Sequence, residues 1–335
     1  MYKYDFLQAK LHGIHSKSIV GDNFNKLKNI KSIDTLKKNL FPDDNSIISE
    51  RNLYSYLEKV FKIKVFRQIN YVSKFFNYKN PFINKMILRY EIDNVKLLIN
   101  TFLSGNKKIE KMFEVDLKGT LNYQLVYSLD ISDIKNIKLI LNNTLFNFII
   151  PMIEENKDLF YIDNELDKFY YDSLLDSLKS LRQYERDILK KIIIFEMNWQ
   201  NITWAFRIKL YYKKSFANTK ESFLYHLGLI KPEVLEKIFQ LEFVPDEAKK
   251  LFAGYPPKYQ EIILKSFDEN GDFDLILLEE NVTEELMKLY TKYFFIENFN
   301  ILPLISFIYI KKNEYFNIVR LIESIRYNLP LEKSA

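Results

Sequence analysis

From Asp268 to Glu279 the chain carries oxygen side chains at positions 1, 3, 5, 7 and 12 of a calcium-binding loop, as Asp268, Asn270, Asp272, Asp274 and Glu279, with Leu275 at the apolar eighth position. The loop's sharp turn calls for glycine at the sixth position, but Phe273 stands there and Gly271 stands at the fourth. A phenylalanine at positive φ is strained, so the stretch reads as an acidic turn between helices, with calcium as the competing reading. Glu279-Glu280 and Glu284-Glu285 offer paired carboxylates for acid–base work. Four glutamates around a helix start more often favour the positive end of its dipole, and that reading is preferred. Arg207, Lys209, Lys213 and Lys214 stand beside Trp199, Trp204, Tyr211 and Tyr212, the interleaving of a single-strand nucleic-acid groove. Alternate residues of that segment are apolar, which points to a solvated face or one that meets an acidic protein partner. Lys26, Lys28, Lys31, Lys37 and Lys38 read as a solvated helical surface.

Most other chemistry is excluded by what is missing. Among 335 residues there is no Cys and only three His (His12, His15 and His226), which removes disulfides, thiol nucleophiles, zinc ribbons, iron–sulfur clusters and His-rich metal sites. No two of the seven glycines stand closer than eight positions, so the glycine-rich phosphate loops are absent as well. The expectation is a chain with no catalytic residue, cofactor or metal. A balance of 49 basic against 44 acidic side chains gives a net charge of +5, spread along the length; this is a weak pull toward acidic surfaces and not a nucleic-acid footprint. Residues 1–10 lack the apolar core of a signal peptide. Ile301 to Ile310, the longest strongly apolar stretch, is interrupted by Pro303 and falls short of the roughly 18 residues a bilayer requires.

The informative spacing belongs to three asparagines. Asn94-Val95, Asn201-Ile202 and Asn317-Ile318 each open a helical run, and each Asn follows Glu or Asn by three: Glu91, Asn198 and Glu314. Asn94 and Asn201 lie 107 residues apart, Asn201 and Asn317 lie 116 apart. Upstream of each, an acidic residue precedes an apolar one by three: Glu50 and Leu53, Asp163 and Leu166, Glu279 and Val282. That block precedes its Asn by 44 residues in the first case and by 38 in the other two. Asp133-x-x-Asn136-Ile137 matches the short pattern without a partner block, so the paired spacing carries the inference of three units. Asn94 and Asn201 fall on apolar stripes, where a buried amide must be hydrogen-bonded or cost about 1 to 3 kcal/mol. Each is expected to be met by a neighbouring helix and to fix its register. Asn317 has Asn313 and Arg320 among its helical neighbours and is less clearly placed.

The elements that must hold these residues are helices. Pro81, Phe82, Ile83, Ile87, Tyr90, Leu98 and Phe102 trace one face of a helix that Gly105 closes. Asn198 to Tyr212 and Tyr315 to Ile325 are further segments of this kind, punctuated by Pro42-Asp43-Asp44-Asn45, Pro232, Pro256-Pro257 and Asn270-Gly271-Asp272. The expected fold class is all-α, in units 1–112, 113–222 and 223–335.

These residues resemble the C subunit of archaeal and bacterial A/V-type rotary ATPases, the counterpart of the eukaryotic d subunit. Three passages carry the resemblance: Arg89-Tyr90-Glu91-Ile92-Asp93-Asn94-Val95-Lys96; Asp163-x-x-Leu166-Asp167-x-x-Tyr170 with Asn201-Ile202; and Glu314-x-x-Asn317-Ile318-Val319-Arg320 with Asn328-Leu329-Pro330. The family often has Gly between the last helix and Leu-Pro, where this chain has Tyr327-Asn328, and Asn198 departs from the Glu of the other units. The resemblance implies a pseudo-threefold helical funnel on the cytoplasmic face of a membrane rotor ring, peripheral and without a transmembrane segment. It also implies a non-catalytic central-stalk role, in which the chain receives the axle subunits and passes torque to the ring for ATP-driven H+ or Na+ transport or for ATP synthesis. Arg89, Arg207 and Arg326, at or beside the repeat helices, are the expected contacts with axle or ring. Two other classes remain open: a generic helical-repeat adaptor, and a nucleic-acid-binding helical protein.

Overall fold

A computed structural model describes residues 2–75, 80–109, 112–115, 117–226 and 228–328; the Glu50 side chain and the closing Leu329-Pro330 lie outside the described residues. Among the described residues eight helices of at least nine residues dominate: α1 (Tyr2–His15), α2 (Glu50–Lys74), α3 (Pro81–Leu103), α4 (Leu159–Ser177), α5 (Gln183–Arg207), α6 (Pro232–Gln240), α7 (Leu275–Ile296) and α8 (Leu302–Tyr327). Among the described residues the only β-type pairing is an isolated antiparallel bridge between Phe267 and Phe273. The all-α expectation therefore describes the chain.

Local chemistry explains the helix ends. Asn80 caps α3 by accepting from the Phe82 and Ile83 N–H groups at 2.9 and 3.3 Å. Pro81 occupies the first turn, where its missing N–H costs nothing. Ser104 and Gly105 end the helix, Gly105 at φ 68°. Helix α5 begins at Gln183, well before the segment 198–212 read from sequence. Ahead of Asn198 it buries Leu189, Ile192, Ile193 and Met197, a stripe at helical spacing that continues into the Asn198 segment. At its far end the α-helix gives way to a π-helical turn, Ile208–Tyr212, closed by Lys213 in the left-handed region.

The chain divides into two compact units, residues 1–78 with 283–335, and residues 79–282. In the first, α8 lies along α2, and α1 packs against both. The apolar stretch Ile301–Ile310 supplies this core, with Leu302, Leu304, Ile305, Phe307 and Ile310 all buried. No helix among the described residues is long and apolar enough to cross a membrane. In the second unit α3 lies along α4, and α5 packs on α6. Aromatic side chains fill it: Trp199 stacks on Tyr259 at 5.1 Å and Phe206 on Phe273 at 4.1 Å between ring centroids.

Candidate functional site

Asn94 is buried on α3, and its amide pairs with a peptide group far along the chain. Its Nδ2 donates to the Phe113 carbonyl at 2.7 Å, and the Phe113 N–H donates back to Oδ1 at 3.1 Å. A primary amide carries the donor and acceptor of a peptide unit, so it can pair in both directions with the main chain of one residue. One turn earlier, Glu91 is fully buried. It accepts from the Leu121 N–H at 2.6 Å, from Asn94 Nδ2 at 2.8 Å and from the Tyr123 hydroxyl. Tyr123 in turn accepts from the Val115 N–H at 2.9 Å. Burial pushes the Glu91 carboxyl up from its ordinary value, and the three donors oppose that shift only in part. Burial likewise raises the Tyr123 phenol, reinforced by the adjacent Glu91.

Helix α5 repeats the arrangement. Asn201 Nδ2 donates to the Leu224 carbonyl at 2.8 Å, and the Leu224 N–H donates to Oδ1 at 2.8 Å. One turn earlier, at the position corresponding to Glu91, Asn198 accepts from the Ile230 N–H at 2.6 Å and donates to the Tyr259 hydroxyl at 2.8 Å. Burial raises the Tyr259 phenol to about 12. In both cases the amide's partner is the backbone of a connecting segment outside any helix, not the neighbouring helix expected from the sequence. A helix has no free peptide groups along its side, whereas a connecting segment does.

Helix α8, in the other unit, carries the third member. Glu314 accepts from the Ile19 N–H at 2.8 Å and pairs with Lys311, which donates to Ser18 Oγ at 3.1 Å. Burial lowers the Lys311 ammonium, against the opposing pull of Glu314. Asn317 is buried one turn on.

The upstream blocks engage the same helices. Asp167, one turn beyond Asp163 on α4, meets Arg89 at 2.8 Å and Lys96 at 2.9 Å. Burial alone would raise the Asp167 carboxyl, but those two cations hold it below its ordinary value. Burial lowers the Arg89 guanidinium less than Asp167 and Asp93 raise it, and it also lies over the Tyr170 ring. Asp163, with fewer compensating contacts, is pushed up by burial. Arg207 meets Glu279 through two hydrogen bonds, at 2.6 and 3.1 Å. Arg326 lies over the rings of Tyr54 and Tyr327. All three arginines thus have partners within their own unit.

The other chemical candidates separate. In the Asp268–Glu279 loop, Asp268 Oδ1 accepts from the Asn270 and Asp272 N–H groups, each at 2.9 Å, Asp274 caps α7 through the Ile276 N–H at 2.7 Å, and Glu279 holds Arg207. The positive φ of the turn falls on Gly271, at 83°. Glu284 and Glu285 lie in the third turn of α7, too far in to feel its dipole, and both pair with Lys288, at 2.6 and 2.9 Å. Trp199 and Trp204 are buried, so they offer no stacking surface beside the basic run, and Lys209 holds the Ile238 and Leu241 carbonyls at 2.8 and 2.6 Å. Among the described residues no group of three or more His, Cys, Asp or Glu is placed to hold a metal ion.

What sequence reasoning missed is the receiving side: Phe113, Leu121 and Tyr123, Leu224 and Ile230, Ser18 and Ile19. The near-equal spacing of Glu91 to Leu121 and Asn198 to Ile230, 30 and 32 residues, is the one signal that could have found them. Lys311, a cation closing an apolar run three residues before Glu314, was legible and overlooked.

Comparison with known proteins converges on one description. Residues 7–334 match the family of the ATP synthase (C/AC39) subunit. Proteins named as the C subunit of A-type ATP synthase, from Methanosarcina acetivorans, Methanosarcina barkeri and Methanococcoides burtonii, are 26%, 24% and 24% identical over 71%, 69% and 76% of this chain. The matched regions span 64%, 62% and 69% of those relatives' own lengths, so the chain covers less than two thirds of the first two.

Proposed function

Because the chain belongs to the ATP synthase (C/AC39) subunit family, we propose that it is a non-catalytic central-stalk subunit of an A/V-type rotary ATPase. It joins the axle subunits to the membrane rotor ring on the cytoplasmic side and transmits torque for H+ or Na+ transport or for ATP synthesis. Buried amides, aromatic stacks and ion pairs make a stiff body, and stiffness is what a torque-transmitting part requires.

The observation that carries the three-unit form of this reading is the succession of the clamps. Glu91 and Asn94, in 1–112, hold Phe113 and Leu121, which open 113–222. Asn198 and Asn201, in 113–222, hold Leu224 and Ile230, which open 223–335. Glu314, in 223–335, holds Ile19 near the opening of 1–112. A head-to-tail succession that returns to its first member fits a closed pseudo-threefold funnel; in an open solenoid the last repeat grips nothing. Arg89, Arg207 and Arg326 are the proposed contacts with carboxylates of axle or ring.

The test is assembly. The full chain, mixed with detergent-solubilised rotor ring and with purified axle subunits, binds both and bridges them in a single complex on size exclusion. Binding to neither, or binding to nucleic acid with steep salt dependence instead, overturns the proposal.

A further inference from the structure

At one end of the first unit, exposed apolar side chains gather where α1 begins, where α2 and α7 end and where α8 begins. Contacts fix the arrangement. Phe6 packs edge-on to Phe75, just past α2, at 5.5 Å between ring centroids, and Tyr71 does the same at 5.4 Å. Gln8 donates to the Glu297 carbonyl and to Asn298, in the turn between α7 and α8. Arg326 over Tyr54 marks the opposite end. Phe6, Tyr71, Ile296 and Phe299 are 52%, 48%, 62% and 48% exposed, and large apolar side chains gathered in water mark a contact surface. Phe299 adds a second sign. It sits at φ 61°, a conformation that strains a bulky residue and that asparagine, present on either side as Asn298 and Asn300, takes more readily. The turn thus holds a phenylalanine ring in solvent at a cost to the fold.

The charges of this end are ordered by depth. Lys10 on α1, Arg67 on α2 and Lys292 on α7 each stand one helical turn, about 6 Å, farther from the end than Phe6, Tyr71 and Ile296 respectively. Lys10 lies over the Phe6 ring and Lys292 over the Tyr293 ring, both at 5.8 Å, and among the described residues none of the three cations meets a carboxylate. Lys74 is exposed near Tyr71, with a stem long enough to reach back to the same layer. The carboxylates on these stretches are Asp5 and Glu297, and Glu297 accepts from Asn300 at 2.6 Å.

We propose that this end of the first unit rests on an anionic lipid surface. Phe6, Tyr71, Ile296 and Phe299 enter the boundary between headgroups and acyl chains, and Lys10, Arg67 and Lys292 meet the phosphates. A membrane interface is layered in this way, with the apolar region beneath the anionic one. Three separate helices repeat that order, whereas a protein partner imposes no common depth, and protein interfaces are depleted in Lys. A nucleic acid meets the cations but has no apolar layer to receive Ile296. The inference goes beyond the proposed function, because it names a lipid contact of the chain itself and needs no other subunit.

The experiment is co-sedimentation of the full chain with vesicles of phosphatidylglycerol and phosphatidylcholine in equal parts, and with vesicles of phosphatidylcholine alone. The chain is expected to bind the anionic vesicles, to bind the neutral ones at least tenfold more weakly, and to lose affinity as salt is added. Ile296→Ser combined with Phe299→Ser weakens binding to anionic vesicles at least tenfold. Lys292→Glu weakens it about tenfold at low salt, with the loss shrinking as salt rises. Phe299→Gly separates a binding role from a structural one: it raises the melting temperature of the free chain by relieving the turn, while weakening vesicle binding. A wild-type chain that ignores anionic vesicles overturns the inference, as do variants with unchanged vesicle affinity. If Phe299→Gly lowers the melting temperature and leaves vesicle affinity intact, the ring serves the fold and the inference fails. If the double Ser variant loses binding to solubilised rotor ring or axle subunits while the wild type ignores vesicles, the surface belongs to a protein partner; the lipid assignment falls and the proposed function stands.

Discussion

At Glu91 a backbone N–H, an amide and a phenol converge on one buried carboxylate, whereas at Asn198 a backbone N–H and a phenol share a neutral amide. The two positions sit at the same place relative to Asn94 and Asn201, and they hold equivalent segments. A carboxylate can accept more donors and holds each more strongly, but it must be kept charged in a place water does not reach. An amide is weaker and indifferent to pH. The geometry of the grip is therefore shared while its charge is not. The third member, Glu314 with Lys311, resolves the same problem by pairing the charges.

The largest effect is expected from removing the element the two clamps share. Asn94→Leu and Asn201→Leu each orphan a buried N–H and C=O, at Phe113 and Leu224, and each is expected to cost about 3 kcal/mol. Denaturant unfolding reads the total, and amide exchange localises the loosening to residues 113–121 in one variant and 224–230 in the other. A large loss in one and none in the other shows that the two clamps are not equivalent.

The next test concerns charge. Glu91 has a folded value raised above the ordinary 4.5, so its contribution to stability is full below that value and is lost as pH rises through the raised one. The Asn198 clamp has no such dependence. Amide exchange at Leu121, corrected for intrinsic rate, therefore shows protection falling as pH rises over that window, while protection at Ile230 stays flat. Asn198→Asp transfers the behaviour to α5, at a cost of about 2 kcal/mol at neutral pH that is recovered on acidification. A pH-independent Asn198→Asp variant contradicts the assignment.

Asp167 gives the opposite sign within the same unit. Its folded value is depressed below 3.8, so its stabilisation is present above 3.8 and is lost as pH falls through the lowered value. Because the Arg89 side chain remains 27% exposed, Asp167→Asn is expected to cost only about 1 to 2 kcal/mol, and the variant should lose the acid-side limb of its stability profile. The smallest effect is expected from Arg207→Ala. Its ion pair with Glu279 is 45% and 36% exposed, and pairs of that kind contribute about 0.5 kcal/mol or less. A loss of 2 kcal/mol there means the pair is structural, and its proposed role at a subunit interface falls.

The gripping half of each clamp was readable in the sequence because it lies on a helix, where the three-residue spacing of Glu91 and Asn94 or of Asn198 and Asn201 repeats one face. The gripped half was not. Phe113 and Leu224 are held through main-chain atoms, which every residue type provides, so their identity carries no signal. The ends of α3 were legible because Asn80, Pro81 and Gly105 each have a mechanical reason to be there. The start of α5 was not, because Arg182-Gln183 offers no strong cap and the helix runs on through a second apolar stripe. The start of α7 was misplaced for a related reason. A row of glutamates resembles a first turn, but Asp274 caps the helix a full turn before Glu279 and leaves Glu284 and Glu285 to Lys288.

If this chain couples and does not catalyse, ATP hydrolysis and ion transport respond differently to its removal. Both are measured together in proteoliposomes of the rotary complex, with and without the chain. Omitting the chain is expected to abolish transport while hydrolysis continues. Transport that persists at an unchanged ratio to hydrolysis, or hydrolysis that disappears with the chain, contradicts the coupling role.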